Sequence, residues 1–489
     1  MLFNSLEFLL FFPAVTLLYF VIPARGRHLW LLAASYYFYM CWSPKYALLM
    51  LFSTVATWCG GRVIAASQRD PVRRAALAGV LVANLGVLAA FKYLRFFFDN
   101  LTRALALAGI AFTAPAVTLL LPVGISFYTF QALGYTIDVY RGDIDAEPDF
   151  FRYALFVSFF PQLVAGPIER SGSLLRQLRT EQRFDGQRVR AGLARMAWGL
   201  FLKMVIADRL AFFVDPVFNS PAGQPGSAVA LASVLFTFQI YCDFGGYSNI
   251  AIGAAQVMGI TLMENFRQPL LAPSVREFWR RWHISLSSWF RDYLYIPLGG
   301  SRKGKGRAIL NNMIVFLISG LWHGAAWHYV AWGALHGLYL TAGRLTLGAR
   351  RRLRSALRIR EDGALHRLCG TALTFALVVF AFLIFRANSL GDAAMLIRAM
   401  FTDFRPEALA HGGLFAFGMD RPDLLVGAAS LAVLIGCDLL AERGNVLEGL
   451  ERRALPIRWT AYLALLFAVI IFGVYGPEYD AAAFIYFEF

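Results

Sequence analysis

The chain has 489 residues, of which 58% are hydrophobic and only 16% are charged. In an ordinary soluble domain about a quarter of the residues are charged, so this composition excludes a soluble globular protein and a disordered one. The net charge of +15 would suggest a nucleic-acid partner if the chain were soluble.

Apolar stretches close to the ~20 residues that a helix needs to cross a bilayer recur along the chain. They predict an all-α polytopic membrane protein with about ten to thirteen membrane elements. Stretches 29–41 and 151–167 are short, which is typical of interfacial or re-entrant elements. The first stretch has no basic n-region, so we expect an uncleaved first helix and not a signal peptide. The predicted elements cover 5–23, 29–41, 45–66, 74–98, 103–121, 123–138, 151–167, 191–214, 227–260, 308–343, 369–386, 423–441 and 459–475.

The positive charge is concentrated in three segments, 170–190, 276–307 and 344–367. Together they hold 22 of the 46 Lys and Arg residues but only 6 of the 31 Asp and Glu residues. Short basic loops between apolar spans mark the cytoplasmic side of a membrane protein, because Lys and Arg resist translocation. We therefore expect all three segments to lie in the cytoplasm. We also expect the protein to contact a lipid bilayer and not to bind nucleic acid.

The apolar segment 308–343 lies between two of these basic segments, so it is expected to enter the membrane and return. Its 36 residues are fewer than two full spans of ~20 residues and a turn require, which predicts a turn within the membrane. His323 lies near the middle of the segment. Backbone turns at that depth need surrounding protein or a water-filled cavity, so the spacing predicts that His323 is buried in one.

Ionisable side chains inside a membrane are costly and usually functional. His323 is suited to general-base catalysis, because burial keeps an imidazole neutral and able to accept a proton. The alternative is a neutral histidine that hydrogen-bonds between helices. His283 lies among Trp and Arg residues typical of a membrane interface, and His336 is expected to serve packing more than catalysis. Asp243 lies in an apolar run and needs a partner such as an Arg or a Tyr hydroxyl.

Other chemistries find little support. His323 and His328 are five residues apart and do not share a helix face, so we expect no metal site. The sequence has no G-x-S-x-G nucleophile elbow. Residues 299–306 resemble a P-loop, but Gly306 stands where Ser or Thr is needed. This basic, Gly-rich loop is either a phosphate-binding loop or simply a cytoplasmic loop that orients the protein.

Several motifs together resemble the membrane-bound O-acyltransferase (MBOAT) family, and most closely its AlgI-like branch of alginate O-acetyltransferases. The main motifs are residues 278–300 (FWRRWHISLSSWFRDYLYIPLGG) and 321–324 (LWHG). Further likeness lies at 161–170, 243–248 and 484–489. The resemblance therefore covers most of the chain, which we expect to form one membrane domain over 1–489. Within it we distinguish N-terminal helices (1–140), a core (150–345) and C-terminal helices (369–489).

The resemblance implies a ring of helices around a central tunnel, open to an acyl donor from the cytoplasm and to an acceptor from outside. It also implies that His323 matches the catalytic histidine of the family and that His283 matches its second polar position. As a hypothesis, His323 takes the proton of a hydroxyl, while His283 orients the thioester carbonyl or stabilises the oxyanion. Candidates for lining the tunnel are Trp322, Asp243, Tyr247 and His336, and candidates for binding the donor phosphates are Arg280, Arg281, Arg302, Lys303 and Lys305.

The resemblance further implies transfer of acetyl from acetyl-CoA to an exopolysaccharide across a bacterial inner membrane, with no bound cofactor. A separate periplasmic SGNH-type acetyltransferase is the expected partner. Two alternatives stay open at this point. One is transfer of D-alanine or another acyl group to a cell-wall polymer, and the other is a transporter or flippase with no enzymatic activity.

Overall fold

The computed structural model describes residues 1–115, 119–164, 166–356, 363–410 and 413–475, with only the backbone at 353 and 354. Within these ranges the chain forms helices and connecting segments, and no β-strand. The contacts divide the chain into two compact units. Unit 1 contains residues 1–196 and 250–263, and unit 2 contains residues 197–249 and, after 263, the rest of the described chain.

Unit 1 is built mainly from the N-terminal helices. The predicted element at 151–167 forms two short helices, because it is broken at Phe159, two residues before Pro161. This agrees with the expectation of a short element there. The helices are α1 (Leu6–Val21), α2 (Ala24–Met40), α3 (Pro44–Ala66), α4 (Asp70–Lys92), α5 (Leu94–Leu107), α6 (Ile125–Arg141), α7 (Phe150–Ser158), α8 (Phe160–Leu163), α9 (Ser171–Arg179) and α10 (Gly186–Leu200), whose last four residues belong to unit 2.

The predicted elements at 74–98 and 103–121 have the wrong boundaries. Helix α4 ends at Lys92 and α5 begins at Leu94, so one predicted span is divided between two helices. Helix α5 then ends at Leu107, where Gly109 adopts a left-handed φ of 73°. Residues 110–115 are not helical. Apolar character continued through this region, but glycine allowed the chain to leave the helix.

Unit 2 contains the two histidines of greatest interest. It begins with the end of α10, which continues through a π-helical segment, Phe201–Ala207, into the next helix. A second π-helical segment, Arg291–Tyr295, begins directly after Phe290. The helices are α11 (Asp208–Asn219), α12 (Gly226–Val257, of which 250–257 belong to unit 1), α13 (Val275–Arg281), α14 (Ile284–Phe290), α15 (Lys305–His323), α16 (Trp327–Leu345), α17 (Leu347–Ala356), α18 (Ala364–Arg386), α19 (Leu390–Thr402), α20 (Arg421–Ala441), α21 (Val446–Glu451) and α22 (Leu455–Phe472).

Six helices in the described chain are long and apolar enough to cross a membrane: α3, α4, α12, α18, α20 and α22. Helix α1 is also apolar, with 16 residues. Five of the six, all except α4, match predicted elements to within a few residues. The protein is therefore a multi-pass, helical membrane protein, as predicted.

Helices α15 and α16 form a tight hairpin, and the chain reverses at residues 324–326 as the sequence predicts. Glycines allow the close approach. A Cβ atom at Gly320 would lie 2.3 Å from the carbonyl oxygen of Tyr329, and one at Gly333 would lie 2.2 Å from that of Phe316. Each helix extends into the flanking basic segments and is about 28 Å long. The hairpin is thus longer than segment 308–343 alone, and the depth of its turn in the bilayer stays a prediction.

Candidate active site

His323 is the last residue of α15 and is buried, with 4% of its surface exposed. Aromatic rings surround it. The ring centroids of Trp322 and Trp332 each lie 5.0 Å from that of His323, and the centroid of Phe385 lies at 5.4 Å. The predicted burial of His323 is confirmed, and the enclosure is mostly apolar.

His283 lies between α13 and α14 and is also buried, with 1% exposed. Its backbone has a left-handed φ of 43°, which is uncommon for a residue other than glycine. The ring of Phe244 packs edge-on against the imidazole at 4.7 Å, and the ring of Trp322 lies at 5.9 Å. Trp322 therefore contacts both histidines and brings the two predicted catalytic residues into one cluster.

Asn265 holds the imidazole of His283 in place. Its Oδ1 atom accepts hydrogen bonds from the backbone N–H of Ser285 at 3.3 Å and from Oγ of Ser285 at 3.0 Å. The same oxygen lies 3.2 Å from Nδ1 of His283. On the other side, Nδ2 of Asn265 donates to Oγ of Ser248 at 3.1 Å. A backbone N–H can only donate, so Oδ1 must face this side and the Nδ1 atom of His283 must carry the proton.

This arrangement determines what His283 can do. In a neutral imidazole one ring nitrogen donates and the other accepts, so Nε2 is left with the lone pair. Burial lowers the pKa of His283, which lies outside the helices that can cross a membrane, to about 3. The imidazole is therefore neutral at ordinary pH and offers an acceptor at Nε2. An unprotonated Nε2 cannot donate to an oxyanion. This argues against the predicted role of His283 in stabilising the oxyanion.

Asn265 is a site residue that the sequence does not reveal. It lies in the connection after α12, 18 residues before His283, in a segment whose polarity resembles that of any loop. No spacing rule links it to His283, because the contact depends on how the connection folds back. Its burial, with 1% exposed, becomes visible only in three dimensions.

The carboxylate of Asp243 is buried in an ion-pair network with a lysine. Nζ of Lys203, in the first π-helical segment, lies 2.7 Å from Oδ1 of Asp243 and 2.8 Å from Oδ1 of Asp208. The same Nζ lies 5.9 Å from the ring centroid of Tyr247. The prediction that Asp243 needs a partner is confirmed, and Lys203 is one such partner. Asp243 precedes Phe244 on α12, so the network supports the helix that packs against His283.

His336 lies on α16, four residues after Trp332. The Trp332 ring is 5.0 Å from each of the two imidazoles. Nε1 of Trp279 donates to Nδ1 of His336 at 3.3 Å. An indole N–H can only donate, so the neutral His336 carries its proton on Nε2. In the described part of the chain, this Nε2 and Nε1 of Trp332 are buried and have no hydrogen-bond partner.

The residues predicted to bind donor phosphates differ in their surroundings. Arg281 pairs with both Glu277 and Glu442, and Arg280 pairs with Glu277 at 3.4 Å. Arg302 and Lys303 on the Gly-rich loop are exposed, and so is Lys305, the first residue of α15. Carboxylates thus partly neutralise the first two cations. Within the described ranges, no group of three or more His, Cys, Asp or Glu side chains has an arrangement that could hold a metal ion.

Some sequence features lie outside the described residues. These are the C-terminal motif at 484–489 and residues 357–362 of the third basic segment.

The profile of the MBOAT, membrane-bound O-acyltransferase, family matches residues 143–381, which include both His283 and His323. The chain is 40% identical over 439 residues to "Probable alginate O-acetylase AlgI" of Pseudomonas syringae pv. tomato, covering 88% of this chain and 81% of that protein. It is 34% identical to "Peptidoglycan O-acetyltransferase" of Helicobacter pylori, covering 82% and 80%. It is 29% identical to "Teichoic acid D-alanyltransferase" of Streptococcus thermophilus, covering 54% and 68%. The chain therefore belongs to the membrane-bound O-acyltransferase family and is an acyltransferase of its AlgI-like branch.

Proposed function

We propose that this protein transfers an acetyl group from cytoplasmic acetyl-CoA toward hydroxyl groups of an alginate-like polysaccharide outside the cytoplasm. The observation that carries the proposal is the pair of buried histidines joined through Trp322, one of them held in a single tautomer by Asn265. Two relatives are named for O-acetyl transfer, which favours acetyl as the group transferred.

We further propose that the protein lies in a bacterial inner membrane, with ten to thirteen membrane elements that surround a tunnel (about 20 residues for each full span). The three basic segments lie on the cytoplasmic side because Lys and Arg are retained there. Acetyl-CoA enters from that side and the acceptor approaches from the other.

In the proposed reaction, His323 takes the proton of the incoming hydroxyl as the oxygen attacks the thioester carbonyl. The C–S bond then breaks, and the thiolate that leaves receives the proton from His323. The position of His323 at the C-terminal end of α15 favours this role, because the negative end of the helix dipole stabilises the imidazolium that forms. General-base catalysis of this kind contributes about 10²–10⁴ to the rate.

His283 has a different part in this proposal. Its Nε2 atom accepts a hydrogen bond from the amide N–H of the donor arm next to the thioester and so orients the carbonyl toward the hydroxyl. Trp322 and Phe244 fix the plane of the imidazole by packing on its edges. Positioning of reacting groups is a large part of enzymatic rate enhancement, and an error of about 1 Å costs as much as 10²-fold.

The first acceptor is proposed to be the serine of a periplasmic SGNH-type acetyltransferase, which passes the acetyl group to the polymer. The second candidate function is transfer of D-alanine to a cell-wall polymer, which the similarity to a teichoic acid D-alanyltransferase favours. Membership of an enzyme family argues against the transporter and flippase alternative.

The test is transfer of the acetyl group by the purified protein from radiolabelled acetyl-CoA to the serine of the proposed periplasmic partner, with a D-alanyl thioester as the competing donor. The rate of acetyl transfer by the variant His323→Ala should be at least about 100-fold lower than that of wild type. His366→Ala is the matched control, since His366 lies in the first turn of α18, and it should retain wild-type activity. Normal acetyl transfer by His323→Ala would refute the assignment, and preference for the D-alanyl thioester would support the second candidate.

A further inference from the structure

A cavity of about 190 Å³ lies at the end of the hairpin where α15 begins and α16 ends. Arg276 of α13 and Arg344 of α16 both line it. These are the first residues of the second and third basic segments, so the fold brings the two segments together at one cavity. Of the other lining residues, Tyr295, Asn312 and Thr341 are polar, and Ala308, Ile309 and Leu340 are apolar.

The electrostatic character of this cavity favours an anion. No acidic residue is among its lining residues, and neither arginine forms an ion pair within the described ranges. Oγ1 of Thr341 is shielded from solvent and has no hydrogen-bond partner in the described part of the chain. Two guanidinium groups and an unused hydroxyl are the donors that phosphate oxygens require.

A ridge of α16 leads from this cavity to the catalytic cluster. Trp332, His336, Leu340 and Arg344 are spaced four residues apart, and such residues form one ridge of a helix. The Cα atoms of Trp332 and Arg344 are about 18 Å apart along the helix axis. At the far end, the Trp332 ring lies 5.0 Å from that of His323.

Two buried donors along this ridge lack an acceptor. Nε2 of His336 carries a proton, because Nδ1 accepts from Trp279, and Nε1 of Trp332 is an obligate donor. Neither has a partner among the described residues, although both side chains are at most 1% exposed. Buried polar groups in native proteins are nearly always hydrogen-bonded, so a bound carbonyl-bearing ligand is the natural partner.

We propose that the cavity between Arg276 and Arg344 binds the phosphate end of the acyl donor, and that the arm of the donor follows the α16 ridge to His323. The ligand class is a phosphate-bearing thioester whose arm contains amide carbonyls, which accept from His336 and Trp332. This inference rests on the proposed function and gives the donor a specific site. It places the phosphate in the cavity and not at Arg280, Arg281 or the exposed 302–305 loop.

The experiment measures binding of coenzyme A to the purified full-length protein in a neutral detergent. The double variant Arg276→Gln/Arg344→Gln is compared with a charge-matched control, Arg398→Gln/Arg452→Gln, both of whose arginines are exposed. A third variant, Arg302→Gln/Lys303→Gln, removes two cations of the Gly-rich loop. The expected result is that the cavity variant binds coenzyme A at least about tenfold more weakly, since hydrogen bonds to charged groups are among the strongest. The control and loop variants should stay within about threefold of wild type.

Each outcome decides the matter. The inference is overturned if the cavity variant binds coenzyme A as wild type does and has a normal melting temperature. It is also overturned if only the loop variant loses coenzyme A binding, or if wild type does not bind coenzyme A. Phosphatidylglycerol nanodiscs provide the second arm. Suppose that this lipid stabilises wild type but not the cavity variant, and that coenzyme A stabilises neither protein. The cavity is then a lipid headgroup site, and the donor assignment is wrong.

Activity measured on the same samples separates this inference from the proposed function. Acetyl transfer that is equal in wild type and the cavity variant at limiting donor overturns the inference and leaves the proposed function intact. An increase in the donor KM with kcat retained supports both. Loss of coenzyme A binding in the cavity variant, with no acetyl transfer by wild type, supports the site and contradicts the proposed function.

Discussion

Replacement of Asn265 tests whether catalysis depends on the tautomer of His283. In the variant Asn265→Leu, a side chain of similar size replaces the amide but offers no acceptor. The backbone N–H of Ser285 and the Nδ1–H of His283 both lose their partner. The imidazole is then free to hold its proton on either nitrogen, so Nε2 is no longer a constant acceptor.

The size of the effect follows from these contacts. Leaving a buried donor unsatisfied costs about 1–3 kcal/mol, so removing the one acceptor that these two donors share should lower the free energy of unfolding by about 2–6 kcal/mol. If the orienting bond of His283 acts in the transition state, its loss should lower kcat by about 10- to 100-fold, since a factor of ten corresponds to about 1.4 kcal/mol. The donor KM should change much less, because Asn265 does not touch the donor in the proposed reaction.

The variant Asn265→Asp separates positioning from stability, because it keeps an acceptor oxygen opposite Nδ1. Its negative charge favours the imidazolium and raises the pKa of His283 above the value of about 3 in wild type. A protonated Nε2 donates and no longer accepts. Activity of this variant should therefore be low at acidic pH and rise as the pH increases through the new pKa. In wild type, His283 stays neutral at pH 5–8 (a pKa of about 3) and should add no such dependence.

The assay is acyl transfer as a function of pH, with the melting temperature of each variant recorded in parallel. Ser248→Ala is the control, since it removes only the acceptor of the Asn265 amide group and should keep most activity. Folded Asn265→Leu with a kcat within about twofold of wild type would refute this role of Asn265, and so would a pH profile of Asn265→Asp that matches that of wild type.

Two further predictions concern stability. Gly320→Ala should lower the free energy of unfolding by about 1–3 kcal/mol, because its Cβ would lie 2.3 Å from a backbone oxygen of α16. The control in thermal unfolding is Gly436→Ala, since Gly436 has open space around it. Equal melting temperatures of the two variants would contradict this prediction. Burial raises the pKa of Glu169 to about 7 from 4.5, so the folded state holds this proton more tightly than the unfolded state. The contribution of this proton to the free energy of unfolding, about 3 kcal/mol, is complete below pH 4.5 and is lost as the pH rises to about 7. In unfolding experiments at pH 5 and 8, Glu169→Gln should remove this fall in the free energy of unfolding. A pH dependence equal to that of wild type would contradict the prediction.

The sequence predicted those parts of the fold that depend on composition and length. The spans at α3, α12, α18, α20 and α22 were predictable because each combines sufficient length with continuous apolar character. The α15–α16 reversal was predictable from the charges on its two sides. By contrast, the break between α4 and α5 and the end of α5 depend on local backbone geometry at Tyr93 and Gly109, which hydropathy does not report.

The candidate site shows a similar division. His323 and His283 were identifiable because a buried ionisable residue is rare and because their motifs resemble a known family. Lys203 and Asn265 were not, since each acts through a partner that is distant in sequence: Asp243 is 40 residues from Lys203, and His283 is 18 residues from Asn265. The role of His283 was also underdetermined, because a sequence specifies the imidazole but not which nitrogen carries the proton.

The geometry of the hairpin links the two ends of the proposed donor site. Backbone contacts at Gly320 and Gly333 hold α15 and α16 together without intervening side chains, so the two helices should move as one body. The catalytic His323 ends one of these helices and Arg344 lies in the last turn of the other. A donor fixed by its phosphate at Arg344 would therefore present its thioester at a constant distance from His323. A shift at either glycine contact should disturb this alignment even where the donor still binds, since catalysis is more sensitive to position than binding is.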